Sequence, residues 1–198
     1  MQGLFNMEQK FGYNSLDVQA LLDFCKLEGS TVQYRKGEKM EYEGEPSQWF
    51  GFVEEGCFKY VTRGISDGKE HITWFSFEGE FVGNYPCCLN GTTALTTIEA
   101  MIPSRVLRIS GEQMQQLFHQ NMEMMELRGI ISEHLLSQCR ARYLDLHRAT
   151  PRERYELLLR RCPGIVQHLP LNSISSFLCI TPQMLSKIRK SITFNIQT

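Results

Sequence analysis

Between Leu171 and Lys190 the chain reads LNSISSFLCITPQMLSKIRK. The side chains with chemistry to offer here are Gln183, Ser186, Lys187, Arg189 and Lys190. A glutamine amide pairs bidentately with adenine, and lysine or arginine donates to guanine. Cations further along a helix also suit phosphates, which fix position without reading sequence. The apolar neighbours are spaced to support that use. Counted from Leu171, the residues Ile174, Leu178, Ile180, Leu185 and Ile188 fall on the inner side of two helices that meet at a sharp angle. Ser175 is small where the two backbones must approach. Thr181 suits the cap of the second helix and Pro182 its first residue. The layout predicts a helix-turn-helix whose second helix enters the DNA major groove by its N-terminal end. The contact residues are then Thr181, Gln183, Ser186, Lys187, Arg189 and Lys190. One position departs: the ninth, where φ > 0 favours glycine, is Cys179.

Charge is distributed to match. The 198 residues carry a net charge of −1. Residues 1–139 hold 11 Lys/Arg against 19 Asp/Glu, which is −8, and residues 140–198 hold 10 against 3, which is +7. A polyanion belongs with the basic part. The apolar fraction of 42% is enough for a packed core. No apolar run reaches the roughly 18 residues that a membrane helix needs. The start, MQGLFNMEQKFGYN, lacks the basic lead and apolar core of a signal peptide, so a cytoplasmic location with no membrane partner is expected. The seven cysteines, at 25, 57, 87, 88, 139, 162 and 179, form no C-x-x-C pair. They read as reduced thiols packed as small hydrophobes, with no metal or disulfide framework.

The elements that must position the basic helix pair follow from local patterns. Residues 32–45, 47–56, 57–64, 69–80, 94–100 and 104–110 are short and rich in β-branched and aromatic residues, with Lys36-Gly37, Glu43-Gly44, Glu55-Gly56, Asp67-Gly68 and Gly79 as turns. That spacing predicts an antiparallel sandwich or barrel, with a hairpin at Asp67-Gly68. Leu16, Ala20, Leu21, Phe24 and Cys25 lie at helical spacing ahead of it. Ser110 caps a short helix through Phe118, and a long helix runs from near Met122 to Leu146. The long helix is apolar on more than one side, so one side is free for the same helix of a second subunit. Leu127, Ile131, Leu135 and Cys139 are the residues expected there. Thr150-Pro151 opens another helix, with Glu153 completing a capping box and Pro163-Gly164 stopping it.

Taken in order, RKGE (35–38), YEGE (42–45), FGFVEEGCFKY (50–60), DGKE (67–70), GEFVG (79–83), TIEA (97–100) and the helix-turn-helix at 171–190 resemble the cyclic-AMP receptor protein/Fnr superfamily of transcription regulators. The resemblance covers nearly the whole chain. It implies an α+β fold: a cyclic-nucleotide-binding-like β-roll of double-stranded jelly-roll type over 1–120, a dimerisation helix over 121–147 and a helix-turn-helix domain over 148–198. The chain reaches Thr198 soon after the recognition helix, so little or no β wing is expected. The implied partners are double-stranded DNA with a near-palindromic operator, a second copy of the chain and, for an activator, RNA polymerase. The family's base-reading positions fall on Pro182, Gln183 and Lys187. Pro182 offers no side-chain donor, so the base code must differ from that of the cyclic-AMP receptor.

The nucleotide-binding members carry, after the GEFVG stretch, a Glu for the ribose hydroxyl and an Arg for the cyclic phosphate. In GEFVGNYPCCLNGTTALTTIEA those positions fall on Asn84 and Ala94, and Leu95 replaces the following Ser. No charged residue lies between 81 and 98. A buried phosphodiester without a cation is costly, so cyclic AMP is disfavoured. The candidate cleft is Gly83, Asn84, Tyr85, Cys87, Cys88, Thr92 and Thr93, with Arg140 of the long helix on its other side. It holds either an unidentified small molecule or nothing. No cofactor is identified. Only Cys25 precedes residue 57, which excludes the N-terminal cysteine cluster of the iron–sulfur members. His71 alone precedes His119, a poor basis for haem. No Lys or Arg neighbours Cys87 or Cys88 in sequence to activate a thiol. An enzyme is not expected: no G-x-S-x-G, phosphate loop or H-E-x-x-H occurs, and one histidine cannot furnish a cupin metal site. A sensor or adaptor without DNA binding is the alternative, and it leaves 171–190 without a purpose.

Overall fold

The computed structural model describes residues 15–162, 164 and 169–196. Pro163 and the side chain of Leu16 lie outside the described residues. The chain divides into two compact units, one ending at Leu136 and the other beginning at Ser137. That division coincides with the change in charge sign, because residues 137–139 are uncharged.

In the first unit, α1 (Ser15–Glu28) precedes a two-sheet roll. Its strands are β1 (Ser30–Tyr34), β2 (Lys39–Glu41), β3 (Trp49–Glu55), β4 (Cys57–Arg63), β5 (Glu70–Phe77), β6 (Phe81–Gly83), β7 (Thr97–Ala100) and β8 (Ser104–Ser110). One sheet runs β1-β8-β3-β6 and the other β2-β7-β4-β5. All pairings are antiparallel. The expected strand over 32–45 divides in two, because Gly37 turns the chain at φ 83° and sends β2 to the opposite sheet. The β4–β5 hairpin forms where expected, but its turn is wider than two residues. Gly68 N–H bonds back to the Gly64 carbonyl at 2.9 Å, Asp67 accepts from the Lys69 N–H at 3.0 Å, and of the two central residues only Gly68 has positive φ. β6 was not anticipated. A three-residue strand offers too little alternation to see.

Alternation puts Tyr34, Val53, Phe58, Val82, Ile98 and Val106 between the sheets, with the Tyr34 and Phe58 rings edge to face at 5.4 Å. A second core joins the roll to helices. Leu21, Leu22 and Cys25 of α1 meet Phe50, Phe52, Leu107 and Ile109 of the sheet. Met114, Leu117 and Phe118 of α3 (Gly111–Phe118) complete it together with Leu127 and Ile131 of α4 (Met122–Arg148). Ser110 caps α3 in a reciprocal box with Gln113. Behind that cap the backbones are jammed: a Cβ on Gly111 would lie 1.8 Å from the carbonyl oxygen of Cys88, which belongs to the short helix α2 (Cys87–Asn90).

In the second unit the remainder of α4 is followed by α5 (Pro151–Arg161), α6 (Leu171–Phe177) and α7 (Pro182–Ile196). The Thr150–Glu153 box forms as expected, with Thr150 N–H donating to Glu153 Oε2 at 2.7 Å and Glu153 N–H to Thr150 Oγ1 at 3.3 Å. Among the described residues of this unit there is no strand.

Candidate functional site

The helix pair α6–α7 is built from its inner residues. Ile174, Leu178 and Leu185 are fully buried, and Ile188 is nearly so. Ser175 is buried at the close approach and donates to the Asn172 carbonyl at 3.0 Å. The turn closes through Cys179 N–H to Ser176 O and Ile180 N–H to Ser175 O, both at 3.0 Å. Cys179 meets the glycine position with φ 54°, the one described non-glycine residue in the left-handed region. Thr181 Oγ1 accepts from the Met184 N–H at 3.2 Å, so it caps α7 as expected. Thr181, Gln183, Lys187 and Lys190 are exposed, and Ser186 is half-buried. Arg189 is placed differently from the expectation. It is half-buried and turned onto α5, donating from Nε to the Tyr155 hydroxyl at 3.2 Å with its guanidinium 5.8 Å from the ring centre. Met184 is exposed beside Gln183 and was missed. Its position three residues before Lys187 put it on the outer face, but a methionine reads as core.

The roll positions the candidate cleft residues unevenly. Asn84 is buried and fully engaged. Its Nδ2 donates to Glu41 Oε2 at 2.8 Å and to the Thr96 carbonyl at 2.9 Å. Its Oδ1 accepts from Thr96 Oγ1 at 2.8 Å and from Thr96 N–H at 3.1 Å. Glu41 is itself buried and accepts from Ser47 Oγ at 2.9 Å, Gln48 N–H at 2.9 Å and Trp49 N–H at 3.0 Å. Tyr85 shares a 2.7 Å hydrogen bond with Ser132 of α4. Gly83 donates to the Tyr60 hydroxyl at 3.1 Å. Cys87 and Cys88 are buried, and burial pushes the Cys88 thiol up to about 12, the opposite of an activated thiolate. Thr92 and Thr93 face solvent, and Arg140 is exposed in the second unit. Gly83, Asn84, Tyr85, Cys87 and Cys88 thus lie together, while the two threonines lie at the surface.

A cyclic nucleotide in the family's pose does not fit these residues. The amide at the ribose position is saturated, position 94 is a buried alanine, and the charged group that Asn84 touches is the Glu41 carboxylate. That carboxylate has the same sign as a phosphodiester and would repel it. Among the described residues no group of three His, Cys, Asp or Glu could hold a metal ion. A cavity of about 200 Å³ elsewhere on the roll is lined by Lys39, Tyr42, Glu43, Arg63, Glu70 and Glu99, none of them a predicted site residue.

On α4 the structure separates the predicted dimer residues. Leu127 and Ile131 are buried in the first unit's own core, and Leu135 packs against it. Cys139 alone of the four is exposed. The apolar side chains left exposed in the first unit's part of α4 are Met122, Met125 and Leu136, at 78%, 52% and 69%. Gly129 lies between them with nothing near its missing Cβ.

With this geometry in hand, comparison with known proteins gives a consistent result. Residues 31–121 match the model of the cyclic nucleotide-binding domain. No curated protein sequence matches the chain. FixK2 from Bradyrhizobium japonicum superposes with a TM-score of 0.72 at 19% identity, over 84% of this chain and 85% of that one. CLP of Xanthomonas campestris, described as a c-di-GMP responsive global regulator, gives 0.62 at 15% identity over 92% and 93%. The Thermus thermophilus catabolite activator protein gives 0.52 at 16% over 93% and 85%. The chain therefore has the α+β fold of Crp/Fnr-type regulators, and its roll is matched as a cyclic nucleotide-binding domain. The resemblance seen in the motifs holds at the level of domain and fold. No described helix is long and apolar enough to cross a membrane.

Proposed function

We propose that the chain is a sequence-specific DNA-binding transcription regulator, acting as a homodimer on a near-palindromic operator. The observation that carries this reading is the outer face of α7. Gln183, Lys187 and Lys190 stand exposed along it, beyond a Thr181 cap, in a part of the chain with a charge of +7. The fold shared with a global regulator and a catabolite activator supports it. In this reading Gln183 and Lys187 read bases, Lys190 meets a phosphate, and the second copy packs along Met122, Met125 and Leu136. Any signal received by the roll is something other than a cyclic nucleotide in the familiar pose.

The test is selection of bound sites from a random duplex library at near-physiological salt, with and without metabolite extract. The expected result is a near-palindrome whose affinity falls as salt rises. On that operator, Lys187→Ala should cost about 1–3 kcal/mol and relax preference at one position, whereas Lys190→Ala should weaken all sequences alike and lower the salt slope by about one. No enrichment under either condition overturns the reading in favour of a sensor or adaptor that does not bind DNA.

A further inference from the structure

We infer that Arg142 and Arg154 are positioning residues for the recognition helix: two guanidiniums clamp the turn between α6 and α7 in a shape its own sequence does not favour. This inference rests on the DNA-binding reading above. α6 has seven residues, and two carbonyls at its C-terminal end, those of its last residue Phe177 and its cap Leu178, face other helices. Both are taken by arginines from other helices of the same unit. Arg142 of α4 donates from Nη2 to the Phe177 carbonyl. Arg154 of α5 donates from Nη2 to the Leu178 carbonyl at 3.1 Å. Each guanidinium is fixed at a second point. Arg142 lies 3.7 Å from the centre of the Phe177 ring, and Arg154 Nη1 donates to the Ala149 carbonyl at 2.8 Å. Cations are favoured at a helix C-terminus, and the planar fork loses little freedom per bond formed.

The residue after these carbonyls is Cys179, at φ 54°. Glycine adopts that conformation without penalty, whereas a Cβ opposes it. The Cys179 side chain is exposed, and its thiol donates a weak bond to the same Phe177 carbonyl at 4.0 Å, so no core packing holds it there. The backbone is held on both sides: the two arginines take the carbonyls just before Cys179, and the N–H groups of Cys179 and Ile180 bond back to Ser176 and Ser175. The clamp therefore does for Cys179 what the absence of a side chain does for glycine. Because Arg142 belongs to α4, it also ties the long helix to the turn that sets where α7 points.

The test is a mutant cycle on the full chain. Operator affinity would be measured across a salt series for the parent, Arg142→Gln, Cys179→Gly and the double variant. Amide hydrogen exchange at residues 178–181 would be followed in parallel. Arg142→Gln is expected to weaken binding about tenfold, the value of one charge-assisted hydrogen bond, and to speed exchange at the turn. The salt slope should not change, and Cys179→Gly should restore both readouts. A salt slope lower by about one would make Arg142 a phosphate contact and overturn the clamp. Unaltered exchange, or no rescue by Cys179→Gly, would overturn it as well. Should Arg142→Gln fail to fold, Arg142→Lys takes its place, keeping the charge and losing the fork. If the parent binds no duplex, the DNA reading fails. The exchange data then decide the clamp alone.

Discussion

Asn84 shows how one side chain can decide what a fold receives. Each polar atom of its amide is used twice, toward Glu41 and Thr96. Asn84→Ala would take one of two donors from Glu41 Oε2 and remove the bonds that Asn84 makes to the carbonyl, N–H and hydroxyl of Thr96. It should destabilise the protein by about 1–3 kcal/mol in urea unfolding, although it removes a residue from the family's ligand position. An unchanged midpoint would mean that the network carries no load and the cleft is open. The absence of charge over 82–97 was legible in the sequence, and so was the poor fit to a phosphate. Glu41 was not. Strict alternation places Met40 inward and Glu41 outward, but β2 shifts register against β7 between Lys39 and Glu41, and both side chains end up buried. Arg189 takes its place for a related reason. Its position in a helix places it at the edge of the outer face, and in the fold it turns toward the Tyr155 hydroxyl.

At the scale of elements, α4 divides its apolar residues between two duties. Leu127 and Ile131, one turn apart, serve the chain's own core. Leu127→Ala should therefore cost about 2–5 kcal/mol in chemical unfolding. Leu136 is 69% exposed, so Leu136→Glu should leave the unfolding of the first unit nearly unchanged. Sedimentation at micromolar concentration should show that variant shifted toward monomer. A mass equal to the parent's would remove the second copy from this face. The length of α4 was readable from its periodicity, and so was the presence of two apolar sides. Which side the roll covers was not, because that depends on where α1 and α3 meet the sheet. The caps of α3, α5 and α7 were all legible, since each rests on residues within four positions of one another.

The whole molecule carries a stability margin tied to pH. Burial pushes Cys25 and Cys88 from an ordinary 9.0 up to about 12, and Tyr60 from 10.0 up to about 12. All three are neutral when protonated, and the folded state holds those protons more tightly than the unfolded chain does. Their contribution is thus complete below pH 9 and is lost as pH climbs from 9 toward 12. Urea midpoints should be flat from pH 7 to about 9 and fall beyond it, with a shallower fall in Cys88→Ala. A midpoint that holds through pH 11 would contradict the burial of these groups. The seam between the two compact units, after Leu136, has a consequence at the bench. It divides a nearly neutral chain into a strongly acidic piece and a strongly basic one, so the net charge is a poor guide to chromatography. Near neutral pH, at low ionic strength, the intact protein should be retained by heparin and by an anion exchanger alike, each resin gripping a different unit.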